Sequence, residues 1–324
     1  MIPLVQEVGV TLHWHAEQDA RGLQQVVLES ASLRLTFLPE LGGRLWSIID
    51  LVRGEEMLWH HPTLLPHAVL PGAGYDEAFA GGWDELFPSD RAVELAGVAY
   101  PDHGEWWCQP WAWQVTEDAE ALTLTLMGSG FATRHTALRT ITLPRDGSGF
   151  SWQTRITNTG DVAIPYLWRH HPALPLRPGA RLELPPVPVE AVAEDPGGIS
   201  AAPFTWPHAT LADGTARDLQ VLPAPNSGEV WMLYATELLE GYARLSWTGA
   251  EDGLAHGIAF TFDPSRVTAI TTFATFGGWR NLQTILPEAG VGYPADLREA
   301  VAAGTCGVLG LGETAVYEVK VAVW

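Results

Sequence analysis

Two short stretches of the chain combine tryptophan with acidic side chains and a histidine. The first reads Gly-Gly-Trp-Asp-Glu-Leu-Phe-Pro at 81–88, and the second reads Asp-His-Gly-Glu-Trp-Trp at 102–107. Flat aromatic faces cover the apolar C–H face of a pyranose, whereas carboxylates and imidazoles hydrogen-bond its hydroxyls. Both stretches therefore favour a sugar-binding cleft. The side chains predicted to contact the sugar are Trp83, Asp84, Glu85, His103, Glu105 and Trp107.

The composition narrows the class of partner. The 324 residues include 18 basic and 38 acidic ones, which gives a formal net charge of −20. A field of that sign opposes nucleic acid and anionic membranes as partners and favours a neutral small molecule. Only two cysteines, Cys108 and Cys306, are present, so a reducing compartment is expected rather than a disulfide framework.

The beginning of the chain lacks the basic segment and continuous apolar core of a secretory signal. No apolar stretch is long enough to span a bilayer. We therefore expect a cytoplasmic protein, monomeric or homodimeric, with a small sugar as its partner and neither nucleic acid nor membrane.

The elements that must position these residues are mostly strands. Alternating apolar side chains have the two-residue period of a strand with one buried face. Such runs occur at 33–37, 122–126, 138–143, 150–156, 180–184, 242–247, 256–276 and 315–323. The pattern predicts an all-β protein, and we expect one domain over residues 1–324.

Two segments depart from the strand pattern. A helix is predicted from Pro294 to Ala303, because a proline stands at its start and Gly304 follows its end. Residues 185–218 are rich in Pro, Ala and Gly and have no clear period, so they are predicted to form a long surface excursion.

Several segments, in this order, resemble the galactose mutarotase-like, or aldose 1-epimerase-related, family. They are Leu38-Pro39-Glu40-Leu41-Gly42-Gly43-Arg44-Leu45, the stretch at 81–88, His103-Gly104-Glu105, Trp168-Arg169-His170-His171-Pro172-Ala173-Leu174, and Pro287-Glu288-Ala289-Gly290-Val291-Gly292-Tyr293-Pro294. Their order and spacing carry the resemblance, which covers most of the chain. It implies a β-supersandwich, with large antiparallel sheets packed face to face and a sugar cleft on one concave surface.

The chemistry that the resemblance implies is the interconversion of the anomers of an aldose. Opening a cyclic hemiacetal takes a proton from the O1 hydroxyl and gives one to the ring oxygen O5, so a base and an acid must act together. Glutamate is ionised at neutral pH, and histidine changes charge close to it. Glu288 is therefore the predicted base, His171 the acid and His103 a second donor. No metal or organic cofactor is required.

Adjacent side chains of a strand point to opposite faces of the sheet. Only one of His170 and His171 can therefore enter the cleft, and the residues that follow His171 match the family better. For the same reason, only one of Asp84 and Glu85 is expected to reach the sugar. Arg44, in a Gly-Gly-Arg turn, is a further predicted contact to a sugar hydroxyl.

Tryptophans near the two stretches are expected either to pack in the core or to contact the sugar. At least two are expected in the core, and one or two of the chain's tryptophans are expected to stack on the sugar. The four considered are Trp83, Trp106, Trp107 and Trp111.

Other functions stay open at this level. A non-catalytic sugar-binding or sugar-sensing protein would have no need of the acid and base, and glycoside hydrolysis would need Glu288 and either Asp84 or Glu85 to flank one bond. A cupin-like metal site is disfavoured, because the two His-His pairs lack the ligand spacing of that fold. A phosphorylated sugar would need a basic cluster. The candidates for that cluster are Arg44, Arg169 and Arg280.

Overall fold

A computed structural model describes residues 12–192, 198–250 and 252–324. The prediction about the secretory signal falls on residues 1–11, which lie outside that part of the chain. The strands are β1 (His13–Gln18), β2 (Gln24–Glu29), β3 (Leu33–Leu38), β4 (Arg44–Asp50), β5 (Glu55–Glu56), β6 (Trp83–Leu86), β7 (Val93–Leu95), β8 (Val98–Tyr100), β9 (Ala112–Glu117), β10 (Ala121–Ser129), β11 (His135–Pro144), β12 (Gly149–Asn158), β13 (Ile164–Tyr166), β14 (Trp168–Pro172), β15 (Leu174–Pro175), β16 (Arg181–Glu183), β17 (Pro188–Ala191), β18 (Phe204–Thr205), β19 (His208–Thr210), β20 (Ala216–Asp218), β21 (Val230–Ala235), β22 (Tyr242–Thr248), β23 (Ala255–Phe262), β24 (Ala269–Phe276), β25 (Gln283–Val291), β26 (Gly307–Leu309) and β27 (Thr314–Val323). The helices are a 3₁₀ turn at Pro39–Leu41, α1 (Tyr75–Ala78) and α2 (Leu297–Ala303).

Most of these strands belong to two antiparallel sheets. Within the described residues, 15 strands form the large sheet, in the order β1-β2-β3-β4-β6-β14-β25-β24-β21-β17-β18-β19-β20, with β5 beside β4 and β15 beside β25. Eight strands form the small sheet, in the order β16-β22-β23-β27-β12-β11-β10-β9. The pairs β7–β8 and β13–β26 stand apart. The predicted all-β supersandwich of large antiparallel sheets is confirmed.

The core lies between the two sheets, where aromatic side chains from both inner faces meet. Trp83 of β6 stacks on Trp152 of β12 with 5.4 Å between ring centroids, and Trp168 of β14 stacks on Tyr317 of β27 at 4.1 Å. Burying rings of this size supplies a large part of the apolar area that the fold removes from water. These contacts fix the centre of the large sheet against the small one.

A buried ion pair joins the sheets at the same place. Arg139 of β11 donates from Nε to the carboxylate of Glu85 of β6, and both side chains are almost fully buried. The carboxylate also accepts hydrogen bonds from Trp152, Thr154 and Trp168. Burial opposes ionisation of Glu85, but the Arg139 charge and the hydrogen bonds from Thr154 and Arg139 outweigh it and lower the pKa of the carboxyl. The pair is therefore both charged and hydrogen-bonded.

Two sequence predictions need correction. Residues 185–218 are not a surface excursion where the structure describes them, because β17 to β20 extend the large sheet and bury Val189 and Trp206. Strands of two to four residues are too short to display a readable alternation. The predicted helix exists but starts at Leu297, since the Asp296 carboxylate caps it by accepting the Arg298 N–H at 2.8 Å. None of the described helices is long and apolar enough to cross a membrane.

The ion pair leads to a stability prediction. Glu85→Gln keeps the shape of the side chain but leaves the Arg139 charge buried without a carboxylate. We expect the free energy of unfolding, measured with urea, to fall by about 3–5 kcal/mol. The control is Glu94→Gln on the exposed side of β7, which should change it by less than about 0.5 kcal/mol. Equal effects of the two substitutions would contradict this role of Glu85.

Candidate active site

Strand register separates core residues from cleft residues at the centre of the large sheet. His170 of β14 lies opposite Glu85 of β6, and both point into the core between the sheets. His171 lies opposite Asp84, and both point to the other face. The strand β25 pairs with β14 on its other side and brings Glu288 to that same face. Three neighbouring strands thus assemble one group of polar side chains.

A cavity of about 230 Å³ lies on this face of the large sheet. The titratable and charged side chains in its lining are Tyr75, Asp76, Asp90, Arg91, Asp102, His103, His171 and Glu288. The apolar ones are Phe79, Met232, Phe273, Trp279 and Leu286.

The three residues predicted to be catalytic share this cavity. His171 Nε2 is 3.7 Å from Glu288 Oε1, and the rings of His103 and His171 meet edge to face with 5.4 Å between centroids. All three side chains are largely buried. A carboxylate and two imidazoles therefore converge on one small volume.

Glu288 is held by an arginine that it shares with a second carboxylate. Arg169 Nη1 lies 3.5 Å from Glu288 Oε2 and 3.0 Å from Asp90 Oδ2, and it donates to Thr271 Oγ1 at 2.7 Å. Burial raises the pKa of the Glu288 carboxyl well above its usual range, and the Asp90 charge adds to that effect while Arg169 opposes it. A carboxyl group shifted in this direction is suited to act as a base near neutral pH.

The two histidines of the cavity have opposite pKa shifts. Burial lowers the pKa of His171 well below its usual value, and the positive charges of His103, Arg169 and Arg44 lower it further. Burial also opposes protonation of His103, but the hydrogen bond from Nδ1 to Asp102 Oδ1 at 2.9 Å and the surrounding carboxylates outweigh it and raise its pKa. The two shifts therefore favour the protonated form of His103 and the neutral form of His171.

Local backbone geometry explains the His103-Gly104 sequence. Both residues have positive φ, 55° at His103 and 76° at Gly104. A Cβ at position 104 would lie 2.3 Å from the carbonyl oxygen of Phe87, so only glycine fits. The strained turn directs the imidazole of His103 into the cavity, and the strain is offset by its N–H bond to the Asp90 carbonyl at 2.6 Å.

Tyr75 connects the polar groups of the cavity, and it was not predicted from the sequence. Its N–H donates to Asp102 Oδ2 at 2.9 Å, and its ring stacks on His103 with 4.0 Å between centroids. Its hydroxyl donates to Asp84 Oδ2 at 2.8 Å and lies 3.2 Å from His171 Nδ1. No local pattern marks this residue. Asp90 and Asp102 could have been found, because Asp90 follows the first stretch by two residues and Asp102 begins the second.

An apolar wall forms one side of the cavity. Met232, Phe273 and Leu286 lie directly opposite one another on β21, β24 and β25. Trp279, in the turn after β24, is half-buried and packs edge to face on Phe273 at 5.5 Å. This wall provides the surface that the apolar face of a sugar ring requires.

Arg44, Asp84 and Trp107 support the cavity from behind and do not line it. Arg44 forms a buried two-point ion pair with Asp84, with both nitrogen–oxygen distances at 2.8 Å. Trp107 packs its ring on the edge of Tyr75 at 5.0 Å and donates to the Asp102 carbonyl. The prediction that these three contact the sugar directly is therefore corrected: they act on the cavity through Tyr75 and Asp102.

Four other predicted sugar contacts belong to the protein interior. Trp83 stacks on Trp152 and donates to His170 Nδ1 at 3.0 Å, and burial lowers the pKa of His170 to about 4. The Glu85 carboxylate is occupied by its core donors. Glu105 accepts the backbone N–H groups of Phe131, Ala132 and Thr133 and so holds that turn. None of Trp83, Glu85, Glu105 and His170 lines the cavity, because each side chain is buried in the protein interior.

The tryptophans near the two stretches, which were the candidates for stacking on the sugar, do not line the cavity. Trp106 and Trp111 are almost fully buried in the core between the sheets. The tryptophan in the cavity lining is Trp279, far along the chain from both stretches. Among the described residues, no group of three or more His, Cys, Asp or Glu side chains is arranged to hold a metal ion.

A scan against models of protein families finds no match to this chain, and a search of curated proteins finds none either. Solved structures do match it. A candidate aldose 1-epimerase from Klebsiella pneumoniae superposes with a TM-score of 0.72 at 16% identity, over 96% of this chain and 83% of that one. A galactose mutarotase-like protein from Clostridium acetobutylicum gives 0.65 at 13% identity, over 97% and 98%. One from Lactobacillus casei gives 0.61 at 17% identity, over 93% and 100%.

The chain has the galactose mutarotase-like fold. With identities of this size, the likeness extends to the fold and not to the reaction. Within this fold, Glu288 and His171 stand on the central strands of the large sheet, and the turns above them supply His103 and Trp279.

The opposite shifts of the histidines can be measured. In a pH titration followed by NMR of the imidazole C–H groups, we expect His103 to lose its proton above pH 6.5. We expect His171 to titrate well below that value and His170 near pH 4. The signals are assigned with His103→Gln, His170→Asn and His171→Asn. A midpoint for His171 above that of His103 would show that the charges of the cavity are reversed.

Proposed function

We propose that the protein is an aldose 1-epimerase, a mutarotase that interconverts the anomers of a free neutral monosaccharide. The observation that carries this proposal is the pair of Glu288 and His171, 3.7 Å apart in a small cavity. O1 and O5 of a pyranose are both bonded to C1, so the base and the acid that act on them must stand close together. His103 supplies a third group at the same place.

The reaction follows from these positions. Glu288 takes the proton of the O1 hydroxyl, the C1–O1 bond becomes a carbonyl, and the C1–O5 bond breaks with its electron pair on O5. His171 gives the proton from Nε2 to O5. Rotation about the C1–C2 bond turns the other face of the aldehyde toward O5, and the same steps in reverse close the ring. Protonated His103 stabilises negative charge on a sugar oxygen during these steps.

The pair of Glu288 and His171 carries one proton over a broad pH range. That range lies between the lowered pKa of His171 and the raised pKa of Glu288. The form with ionised Glu288 and protonated His171 has the same number of protons as the form with both groups neutral. The two forms interconvert without exchange with solvent, so the reactive one is available at neutral pH.

Charge and size support a neutral monosaccharide. The arginines considered as phosphate ligands are all in ion pairs: Arg44 with Asp84, Arg169 with Asp90 and Glu288, and Arg280 with Glu77. The volume of about 230 Å³ is smaller than the usual sites for drug-sized ligands, which argues for one sugar ring rather than an oligosaccharide. The net charge of −20 is consistent with a neutral ligand.

Hydrolysis of a glycosidic bond is disfavoured, because the carboxylates considered as partners of Glu288 are not available in the cavity. Glu85 is in the core, and Asp84 is occupied by Arg44 and Tyr75.

Our proposal includes a cytoplasmic location, a monomer or homodimer, and neither nucleic acid nor membrane as a partner. The runner-up is a sugar-binding or sugar-sensing protein on the same fold, and turnover separates the two.

Exchange NMR tests the activity directly. We expect wild-type protein to accelerate the exchange between the α and β anomers of at least one sugar in a panel of hexoses, pentoses and hexose 6-phosphates. Glu288→Gln and His171→Asn should each lower kcat by about 10²–10⁴-fold, because each removes one partner of the acid–base pair. Line broadening that reports binding, without acceleration for any sugar, would instead establish the sugar-binding protein.

The pH profile is a separate test. Below the lowered pKa of His171 the pair gains a second proton, and above the raised pKa of Glu288 it loses its only one. We therefore expect kcat to be bell-shaped, with its acid limb below pH 6.5, its basic limb well above pH 4.5, and a maximum between them. Exchange rates are measured from pH 4 to 10 after subtraction of the buffer reaction. A profile that only rises with pH would contradict a proton shared by the pair.

A further inference from the structure

The hydroxyl of Tyr75 stands between the ion pair of Arg44 and Asp84 and the proposed acid His171. We propose that Tyr75 is a positioning residue that determines which ring nitrogen of His171 carries the proton. The consequence for turnover rests on the proposed function, whereas the position of the proton does not.

The direction of the hydrogen bonds follows from what each group can donate. Both oxygens of Asp84 are bonded to Arg44, so this carboxylate acts as an acceptor. The single hydroxyl proton of Tyr75 is donated to Asp84 Oδ2 at 2.8 Å. The Tyr75 oxygen can then only accept from the other neighbour, His171 Nδ1, at 3.2 Å. Neutral His171 must therefore carry its proton on Nδ1.

This arrangement reserves the second ring nitrogen for the substrate. Nε2 of His171 has no proton in the neutral form, and it faces Glu288 Oε1 at 3.7 Å. Each proton that His171 accepts or donates then passes through Nε2, at the cavity side. A carboxylate behind an imidazole fixes its tautomer and stabilises its protonated form. Here Asp84 does so through the interposed hydroxyl of Tyr75.

The ring of Tyr75 has a separate role, which makes a clean variant possible. It stacks on His103 with 4.0 Å between centroids and an angle of 6° between planes, and it is 2% exposed. Phenylalanine at position 75 would keep this contact and the N–H bond to Asp102. Tyr75→Phe therefore removes the hydroxyl and leaves the packing.

The position of the proton is tested first, without reference to activity. Long-range ¹H–¹⁵N NMR distinguishes the two neutral tautomers of a histidine, and His171→Asn assigns the signals. In the wild type at neutral pH, we expect His171 with the proton on Nδ1. In Tyr75→Phe the Nε2–H form should become substantially populated. A wild-type proton on Nε2, or an unchanged Nδ1–H form in Tyr75→Phe, would overturn the inference.

A second variant reverses the direction of the chain of hydrogen bonds. The amide of Asp84→Asn can accept from Arg44 and donate its N–H to the Tyr75 oxygen, so that the hydroxyl proton turns toward His171 Nδ1. We expect this variant to move the His171 proton to Nε2 while Tyr75 is intact. Retention of the Nδ1–H form in folded Asp84→Asn would count against the proposal.

The effect on turnover is tested by exchange NMR with the sugar that the wild type accepts. We expect Tyr75→Phe to lower kcat by about 10- to 100-fold with KM changed by less than about threefold. A neutral imidazole whose proton is already on Nε2 cannot take up the Glu288 proton there, so it does not reach the protonated form that serves the ring oxygen. The matched control is Tyr317→Phe, which removes the hydroxyl of a buried tyrosine that is bonded to Tyr166 in the core. That control should keep the wild-type kcat.

The two ways of failing are distinguishable. Equal kcat in Tyr75→Phe and Tyr317→Phe would overturn the positioning role while leaving the proposed function in place. If the wild type accelerates no exchange, the proposed function fails, and the tautomer spectra alone decide whether Tyr75 controls the proton on His171.

Discussion

The buried pair of Glu85 and Arg139 is the interaction on which the geometry of the cavity depends. A strand alternates its side chains strictly, so a shift of β6 by one residue would turn Glu85 to the cavity and put Asp84 in the core. A carboxylate in the core needs partners that compensate for lost water, and Arg139 with three further donors supplies them at the position of Glu85. The core ion pair thereby selects the register that directs Asp84 outward.

The neighbouring strand is fixed through the same network. Trp168 of β14 donates to Glu85 from the core side, and the alternation then turns Arg169 and His171 to the cavity. Arg169 meets Glu288 on the next strand. Contacts on the core face of the sheet thus set the strand register that places the charged side chains in the cavity. This explains why a large sheet with a well-packed inner face can hold the Glu288 carboxylate and the His171 imidazole at a fixed separation.

Sequence reasoning predicted the all-β fold and named Glu288, His171 and His103, which the structure brings together. It wrongly assigned Trp83 and Glu85 to the sugar. Tryptophan beside a carboxylate is typical of a sugar site, but it is also typical of a buried network in which indole N–H groups donate to a core carboxylate. Residue types alone do not separate these two arrangements. The register does, and it depends on pairing between strands that are distant in the chain.

Tyr75 and Trp279 were missed for a different reason. Tyr75 begins the four-residue helix α1 and contacts His171, far along the chain, whereas Trp279 stands in the turn after β24; neither segment has a readable period. A pattern within one segment carries no information about such contacts. The charge states of the cavity were equally out of reach, since they arise from carboxylates and arginines that only the fold brings to His103 and His171.

The division of the cavity between strands and turns has a consequence for how this protein can change. Glu288 and His171 stand on central strands, whereas His103 and Trp279 stand on turns at the rim. Turns tolerate insertion and substitution far better than paired central strands. In the proposed epimerase, the turn that carries Trp279 can therefore be remodelled to admit a different sugar while Glu288 and His171 stay in place. The acid–base pair of the proposed epimerase and part of the surface that would contact the sugar lie on different elements, and that part is open to separate selection.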